Sequence, residues 1–417
     1  VIEPHPHTAG IVRRTIDDLT AHELDGRRAL VRVDYNVPLE GQRNERRVGS
    51  DVRIRATLPT LAALQERGAS LVLASHLGRP KGKRVAELSL APVAKHLEEL
   101  LGRRVAFLEH PFDDRSRELV ESAGPGEVIL LENLRFEAGE EKNDPALAER
   151  LAAYGDLFVQ DAFGTCHRAH ASTVGVTQHL SPRVAGRLVA RELAAFRRLL
   201  ERPERPFVAI LGGAKIAGKL ETLRGLAERC DRVALGGGMA NTFLAAMGTE
   251  VGASLVEDEL LDEARDLLDR FGERLLLPSD AITAREIEEG AETRTISTRA
   301  GIEAGWKILD VGPDTVEAIG GLVQGARTVF WNGPLGVFET PPFDRATRAV
   351  ALRLAEATGK GAYAVVGGGD SIAALEEAGL LKAVSHASTG GGAALELVSG
   401  ASLPGIEALD PVGGGAA

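Results

Sequence analysis

Lys215 and Lys219 stand four residues apart, just after Gly212 and Gly213. The chain carries 49 Lys+Arg, of which only nine are lysine, so two lysines this close form a concentration. A lysine ammonium is a mobile point charge, whereas an arginine offers a fixed planar fork. Paired lysines therefore suit a phosphate that moves or changes. The apolar run Phe207 to Leu211 predicts a buried strand, and Leu220, Leu223 and Leu226 predict a helix after the glycine turn. Strand, glycine turn and helix start together aim backbone N–H groups at an anion. The spacing predicts that both lysines share one face of that helix. Gly213 to Lys219 approaches the P-loop pattern, but Leu220 occupies the place of its metal-binding hydroxyl. A metal ligand must come from elsewhere.

The first half supplies basic residues in a repeating arrangement. Ala29 to Val33 predicts a strand ending in Asp34, Tyr35 and Asn36, polar groups able to accept and donate hydrogen bonds. Arg53 and Arg55 open a predicted helix carrying Leu58, Leu61, Ala62 and Leu64. The strand Leu71 to Ala74 runs into Ser75, His76, Leu77, Gly78 and Arg79, where a histidine and an arginine form an anion clamp. Val128 to Leu131 leads to Arg135, and Leu157 to Val159 leads through Asp161 and Cys166 to Arg168. In an open α/β sheet these strand ends share one edge, where ligands bind. Arg53, His76, Arg79, Arg135 and Arg168 are therefore expected to converge as a patch sized for a phosphorylated carboxylic acid.

The second half repeats strands followed by glycines. Val233 to Leu235 precedes Gly236 and Gly237, and Val329 to Trp331 precedes Asn332 and, further on, Glu339. Tyr363 to Val366 precedes Gly367, Gly368, Gly369, Asp370 and Ser371, and a last triplet follows Thr389. Glycines allow close backbone approach, here expected toward a nucleotide. Asp370 is expected to cap a helix and to hold Mg²⁺ against phosphates. No G-x-G-x-x-G follows a strand, which leaves a nicotinamide cofactor without support.

These elements must be carried by roughly two to three domains, given 417 residues. From Pro182 to Glu201 apolar residues recur at helical spacing, and Pro203 and Pro206 stop the run. The predicted organisation is a first domain over 1–186, a connecting helix and linker over 187–203, and a second domain over 204–401, with 402–417 returning to the first. The net charge of −11 argues against nucleic acid as partner. It is uneven: residues 1–200 carry 29 Lys+Arg against 28 Asp+Glu, the remainder 20 against 32. A small anion is thus expected on the first half. No apolar run reaches membrane-span length and the start lacks a secretory pattern. Cys166 and Cys230 make neither a disulfide framework nor a metal site, so a reducing cytoplasmic location is expected.

Nine motifs in order, RVDYNVP, SHLGRPKG, LENLRF, DAFGTCHRAH, ILGGAKIAGK, LGGGMANTF, WNGPLGVFE, VGGGDS and STGGGAALELVSG, closely resemble the phosphoglycerate kinase family. The resemblance runs from about Thr15 to about Leu409. It implies an α/β fold of two Rossmann-like three-layer αβα domains with parallel sheets, an interdomain helix and a returning C-terminal segment near Leu403 to Ile406. It implies transfer of a phosphoryl group between 1,3-bisphosphoglycerate and Mg–ADP by a monomer whose partners are these small molecules alone. By resemblance Asp34, Tyr35, Asn36, Arg53, His76, Leu77, Gly78, Arg79, Arg135 and Arg168 bind the glycerate. Gly212, Gly213, Lys215, Lys219, Gly236, Gly237, Asn332, Glu339, Gly367, Gly368, Gly369, Asp370 and Ser371 bind nucleotide, with Asp370 on the Mg²⁺. Arg53, Lys215 and Lys219 are the implied catalytic groups. Three departures stand out: Gly218 replaces a frequent Asp, Cys166 replaces Ala beside the site, where it is expected to be open to thiol reagents, and the glycine-rich tail after Asp410 has no counterpart in the family.

Overall fold

The structure is a computed structural model that describes residues 12–41 and 45–412. The amino-terminal residues scanned for a secretory pattern and most of the tail after Asp410 lie outside them. Two compact units are present, Val1–Ala194 with Ser402–Ala417, and Ala195–Ala401. The division falls inside the helix Arg187–Glu201.

In the first unit the strands are β1 (Arg28–Val33), β2 (Leu39–Glu40), β3 (Arg47–Val48), β4 (Ser70–Ala74), β5 (Val105–Leu108), β6 (Val128–Leu131), β7 (Leu157–Asp161) and β8 (Arg183–Ala185). Six of them form one sheet in the order β5-β6-β4-β1-β7-β8, parallel throughout. Its inner strands are almost entirely buried. Crossover helices cover a parallel sheet, so such strands are continuous apolar runs rather than alternating ones. Of the apolar pattern that starts at Pro182, Val184 belongs to β8, and the connecting helix starts at Arg187. Asp161, at the end of β7, accepts the backbone N–H groups of Leu188 and Val189 at 3.0 and 3.4 Å and so anchors that helix start.

The returning segment is part of this unit. Gly405 donates its N–H to the Cys166 carbonyl at 2.9 Å, and Arg183 pairs with Asp410 at 2.6 Å. An added Cβ on Gly405 would lie 2.9 Å from the Cys166 Cα, so contact this close needs glycine.

The second unit holds β9 (Phe207–Leu211), β10 (Arg232–Leu235), β11 (Leu275–Leu276), β12 (Asp280–Ala284), β13 (Arg294–Ser297), β14 (Lys307–Val311), β15 (Thr328–Asn332), β16 (Tyr363–Gly367) and β17 (His386–Ala387). Its parallel sheet runs β11-β10-β9-β15-β16-β17. In sequence rank that is 3-2-1-4-5-6, the dinucleotide-fold order, whose switch point lies between β9 and β15. Strands β12, β13 and β14 form a separate antiparallel sheet that periodicity did not anticipate.

Candidate active site

Register places the predicted residues on common edges. Val33 pairs with Asp161 and Arg32 with Ala74, so Asp34, Ser75 and Ala162 continue from neighbouring strand ends. Asp34 receives Arg53 at 2.7 Å, from the first turn of the helix Val52–Glu66. Asn36 accepts the Gly78 N–H at 2.9 Å, and the Gly78 carbonyl accepts Arg135 at 2.7 Å. Arg168 donates to the His167 ring at 3.0 Å. Arg79 is exposed and makes no ion pair among the described residues.

This is a crowd of positive charge. Burial first, then Arg32 and Arg168, lowers the Arg135 pKa, while Glu141 opposes them. Burial first, then Arg32, Arg135 and Arg53, holds His76 well below the usual histidine value. Mutual repulsion of this kind is relieved when an anion enters.

Two of the predicted contacts have side chains turned elsewhere. Tyr35 is fully buried, its hydroxyl 2.9 Å from that of Thr57, and Leu77 belongs to the same apolar core. Leu77 also exchanges both backbone bonds with the Asn133 side chain, at 3.1 and 2.7 Å. Asn133 and Glu132 were not singled out by the sequence. Glu132 is 2 % exposed and accepts the N–H groups of Leu90 and Asn133, fixing the loop that carries Arg135. Cys166 is buried, and burial pushes its thiol pKa up, which corrects the expectation of reactivity.

At the β9/β15 switch point the glycines meet one another. Gly212 donates to the Asn332 carbonyl and Gly213 to the Pro334 carbonyl, both at 2.9 Å. A Cβ on Gly212 would fall 2.0 Å from the Pro334 oxygen, and one on Gly238 would fall 2.4 Å from the Ala214 oxygen. Gly237 has φ +66° and rests on the Gly213 carbonyl, while Gly236 lies against Leu335. These glycines therefore serve backbone-to-backbone packing first, where the sequence suggested approach to a ligand. At Gly369 an added Cβ would meet nothing within 4 Å.

Lys215 and Lys219 do not share a helix face. Gly218 adopts φ +76°, and the helix begins only at Leu220. The lysines sit on the preceding loop, which Glu257 holds by accepting the N–H groups of Ile216 and Ala217. Lys215 is exposed. Lys219 donates to the Gly212 carbonyl at 2.6 Å, and burial lowers its pKa against the opposing pull of Asp370. The cap of the helix Gly369–Glu377 is Gly368 at φ +90°, so Asp370 lies in the first turn instead of capping it. Ser371 is buried and accepts the Gly333 N–H at 2.8 Å. The Asn332 Nδ2, buried beside Gly367 and Gly368, finds no protein partner. Burial first, then the Glu339 charge, raises the Asp370 pKa, with Lys219 opposing.

A strand-end patch of arginines and a glycine-built Rossmann edge with two lysines are the parts a phosphotransferase needs. The phosphoglycerate kinase family model matches residues 16–401. The chain belongs to the phosphoglycerate kinase family. A phosphoglycerate kinase from Rippkaea orientalis is 48% identical over 405 residues, covering 96% of this chain and 100% of that one. The chloroplastic phosphoglycerate kinase of Volvox carteri is 47% identical over 402 residues, covering 96% and 86%. The solved phosphoglycerate kinase of Coxiella burnetii superposes with TM-score 0.82 at 40% identity, covering 95% of this chain and 98% of that one. No described helix is long and apolar enough to cross a membrane.

Proposed function

We propose that this chain is an ATP:3-phosphoglycerate 1-phosphotransferase, moving a phosphoryl group reversibly from 1,3-bisphosphoglycerate to Mg–ADP to give 3-phosphoglycerate and ATP. Membership of the phosphoglycerate kinase family over residues 16–401 carries the reading. The nucleophile is an ADP phosphate oxygen in one direction and a carboxylate in the other. Both are ionised near neutral pH, so no general base is required and catalysis rests on positioning and charge neutralisation.

In this reading Asp34, Asn36, Arg53, His76, Arg79, Arg135 and Arg168 bind the glycerate and its phosphate. Lys215, Lys219 and the switch-point backbone bind the nucleotide phosphates, and the free Asn332 Nδ2 supplies a further donor. Arg53, Lys215 and Lys219 neutralise charge on the phosphoryl in transit. Among the described residues no cluster of three or more His, Cys, Asp or Glu could hold a metal alone. Asp370 with Glu339 nearby fits Mg²⁺, which takes one or two carboxylates and completes its shell with substrate phosphates and water. Bound there, Mg²⁺ would neutralise phosphate charge. We place the enzyme in a reducing compartment, the cytoplasm, which two free cysteines support, and propose that it acts as a monomer on small molecules alone.

The direct test is a coupled assay with 3-phosphoglycerate and ATP, in which no turnover would reject the proposal. Lys215→Ala is expected to lose about 3–4 kcal/mol of transition-state stabilisation, or roughly 100- to 1,000-fold in kcat. A loss of only a few-fold would remove Lys215 from its role.

A further inference from the structure

Arg32 lies in the middle of the first-unit sheet and is 1 % exposed, an unusual place for a guanidinium. Its Nη2 lies 3.2 Å from the His76 Nδ1. A guanidinium can only donate, so Nδ1 must present its lone pair and the ring proton must sit on Nε2. A proton on Nδ1, in the neutral ring or in the imidazolium, would set two N–H donors against each other. Asp34 Oδ1, at 3.9 Å, is too far to take a hydrogen bond from Nδ1.

What holds Arg32 is a buried chain of bonds. Its Nε donates to the Ser172 hydroxyl at 2.8 Å, and a further nitrogen donates to the Val33 carbonyl. The Ser172 hydroxyl in turn donates to Glu140 at 2.6 Å, and the Ser172 N–H donates to the same carboxylate at 3.1 Å. Glu140 is 0 % exposed; its charge opposes the lowering of the Arg32 pKa by burial, and Arg32 and Ser172 in turn oppose the raising of its own. The other charged and titratable groups felt by His76 are Arg53, Arg135 and His170, all of which disfavour an imidazolium. Asp34 is the acid that approaches it.

We propose that Arg32, held by Ser172 and Glu140, fixes His76 as the neutral Nε2–H tautomer, so that this position offers the ligand an uncharged hydrogen-bond donor amid arginines. Ser172 and Glu140 are then positioning residues. The part concerning the ligand rests on the glycerate-binding role given to this patch; the tautomer does not.

The test is nitrogen-15 NMR of the intact, histidine-labelled protein without ligand, the His76 signals being identified by their loss in His76→Asn. The expected result is an unprotonated Nδ1 and a protonated Nε2, unchanged from about pH 7.5 to about pH 5.5. A protonated Nδ1, or titration near the ordinary histidine value, would overturn it. Ser172→Ala should release the ring into a titrating mixture of tautomers, and Arg32→Met should do so more completely. In Ser172→Ala the KM for 3-phosphoglycerate should fall several-fold on acidification relative to wild type, as an imidazolium appears, with kcat changed less than about twofold. A merely structural role would move kcat or KM equally at every pH. If His76 stays neutral in Ser172→Ala, the relay through Ser172 is wrong. Absence of any turnover in the wild type would defeat the enzymatic reading while leaving the NMR result to decide the tautomer.

Discussion

Gly212→Ala tests whether the switch-point glycines exist for backbone packing. The new Cβ would sit 2.0 Å from the Pro334 oxygen and 2.7 Å from its carbonyl carbon, whereas real Cβ contacts under 3.0 Å are essentially never seen. The two loops must therefore separate by about 1 Å, and the obstacle is backbone that no rotamer can move. That displacement would stretch the Gly212–Asn332 and Gly213–Pro334 bonds, both 2.9 Å, beyond hydrogen-bonding range. Leaving buried backbone groups unpaired costs about 1–3 kcal/mol each, so roughly 2–6 kcal/mol is at stake. For a unit of this size that corresponds to a fall in Tm on the order of 10 °C. Gly321→Ala is the control: Gly321 is exposed, lies mid-helix in Pro313–Gly325, and an added Cβ meets nothing within 4 Å. There the substitution should stabilise by about 0.5–1 kcal/mol. Denaturant unfolding followed by tryptophan fluorescence reads the second unit directly, since both tryptophans, Trp306 and Trp331, are buried there. A Gly212→Ala protein as stable as Gly321→Ala, with unchanged ATP affinity, would refute the reasoning.

Glu257→Gln should loosen the loop bearing Lys215 and Lys219, because a charged acceptor for two backbone donors is lost; at about 1.5–3 kcal/mol for such bonds, kcat should fall at least several-fold in steady-state kinetics. Neither Cys166 nor Cys230 should react with a thiol reagent until denaturant is added, since burial covers both and pushes both thiols up. Acid should unfold the first unit before the second. His76, His167 and His170 are all held neutral by burial and nearby cations, His170 down to about 4, and an unfolded histidine protonates below about 6.5, so the stability they contribute is present above 6.5 and lost as pH falls toward 4. Asp161 in the first unit and Asp310 in the second both work in the opposite sense, so the difference between the units rests on the three histidines. Burial raises the two carboxyls to about 7 and about 8, so their contributions are full below the unfolded carboxylate value and are lost as pH rises through those values. Far-UV circular dichroism should accordingly change at a higher pH than tryptophan fluorescence on acidification; simultaneous loss would contradict the assignment.

Strand ends were legible because a strand buried on both faces must be an apolar run, and polar residues directly after such a run can lie only on the sheet edge. Asp34, His76, Arg135 and Asn332 were found in that way. Partners distant in the chain were not. Glu140 and Ser172 are 32 residues apart, and Glu257 lies 41 from Ile216, so no spacing rule links them. Arg32 was passed over inside an apolar strand, and only the packed sheet shows that its side chain is buried.

The amino-acid sequence by itself marked the inner strands of the parallel sheets as apolar runs, together with the edge and the polar residue types directly after them, while it left roughly two to three domains open and did not mark the antiparallel sheet β12–β14. Tertiary structure alone decided that Lys215 and Lys219 ride a stapled loop, that Tyr35, Leu77 and Cys166 face inward, and which nitrogen of His76 bears the proton. The physical reason is the same in each case: orientation is set by hydrogen-bond partners and backbone clashes between segments far apart in the chain, and these exist only once the chain has folded.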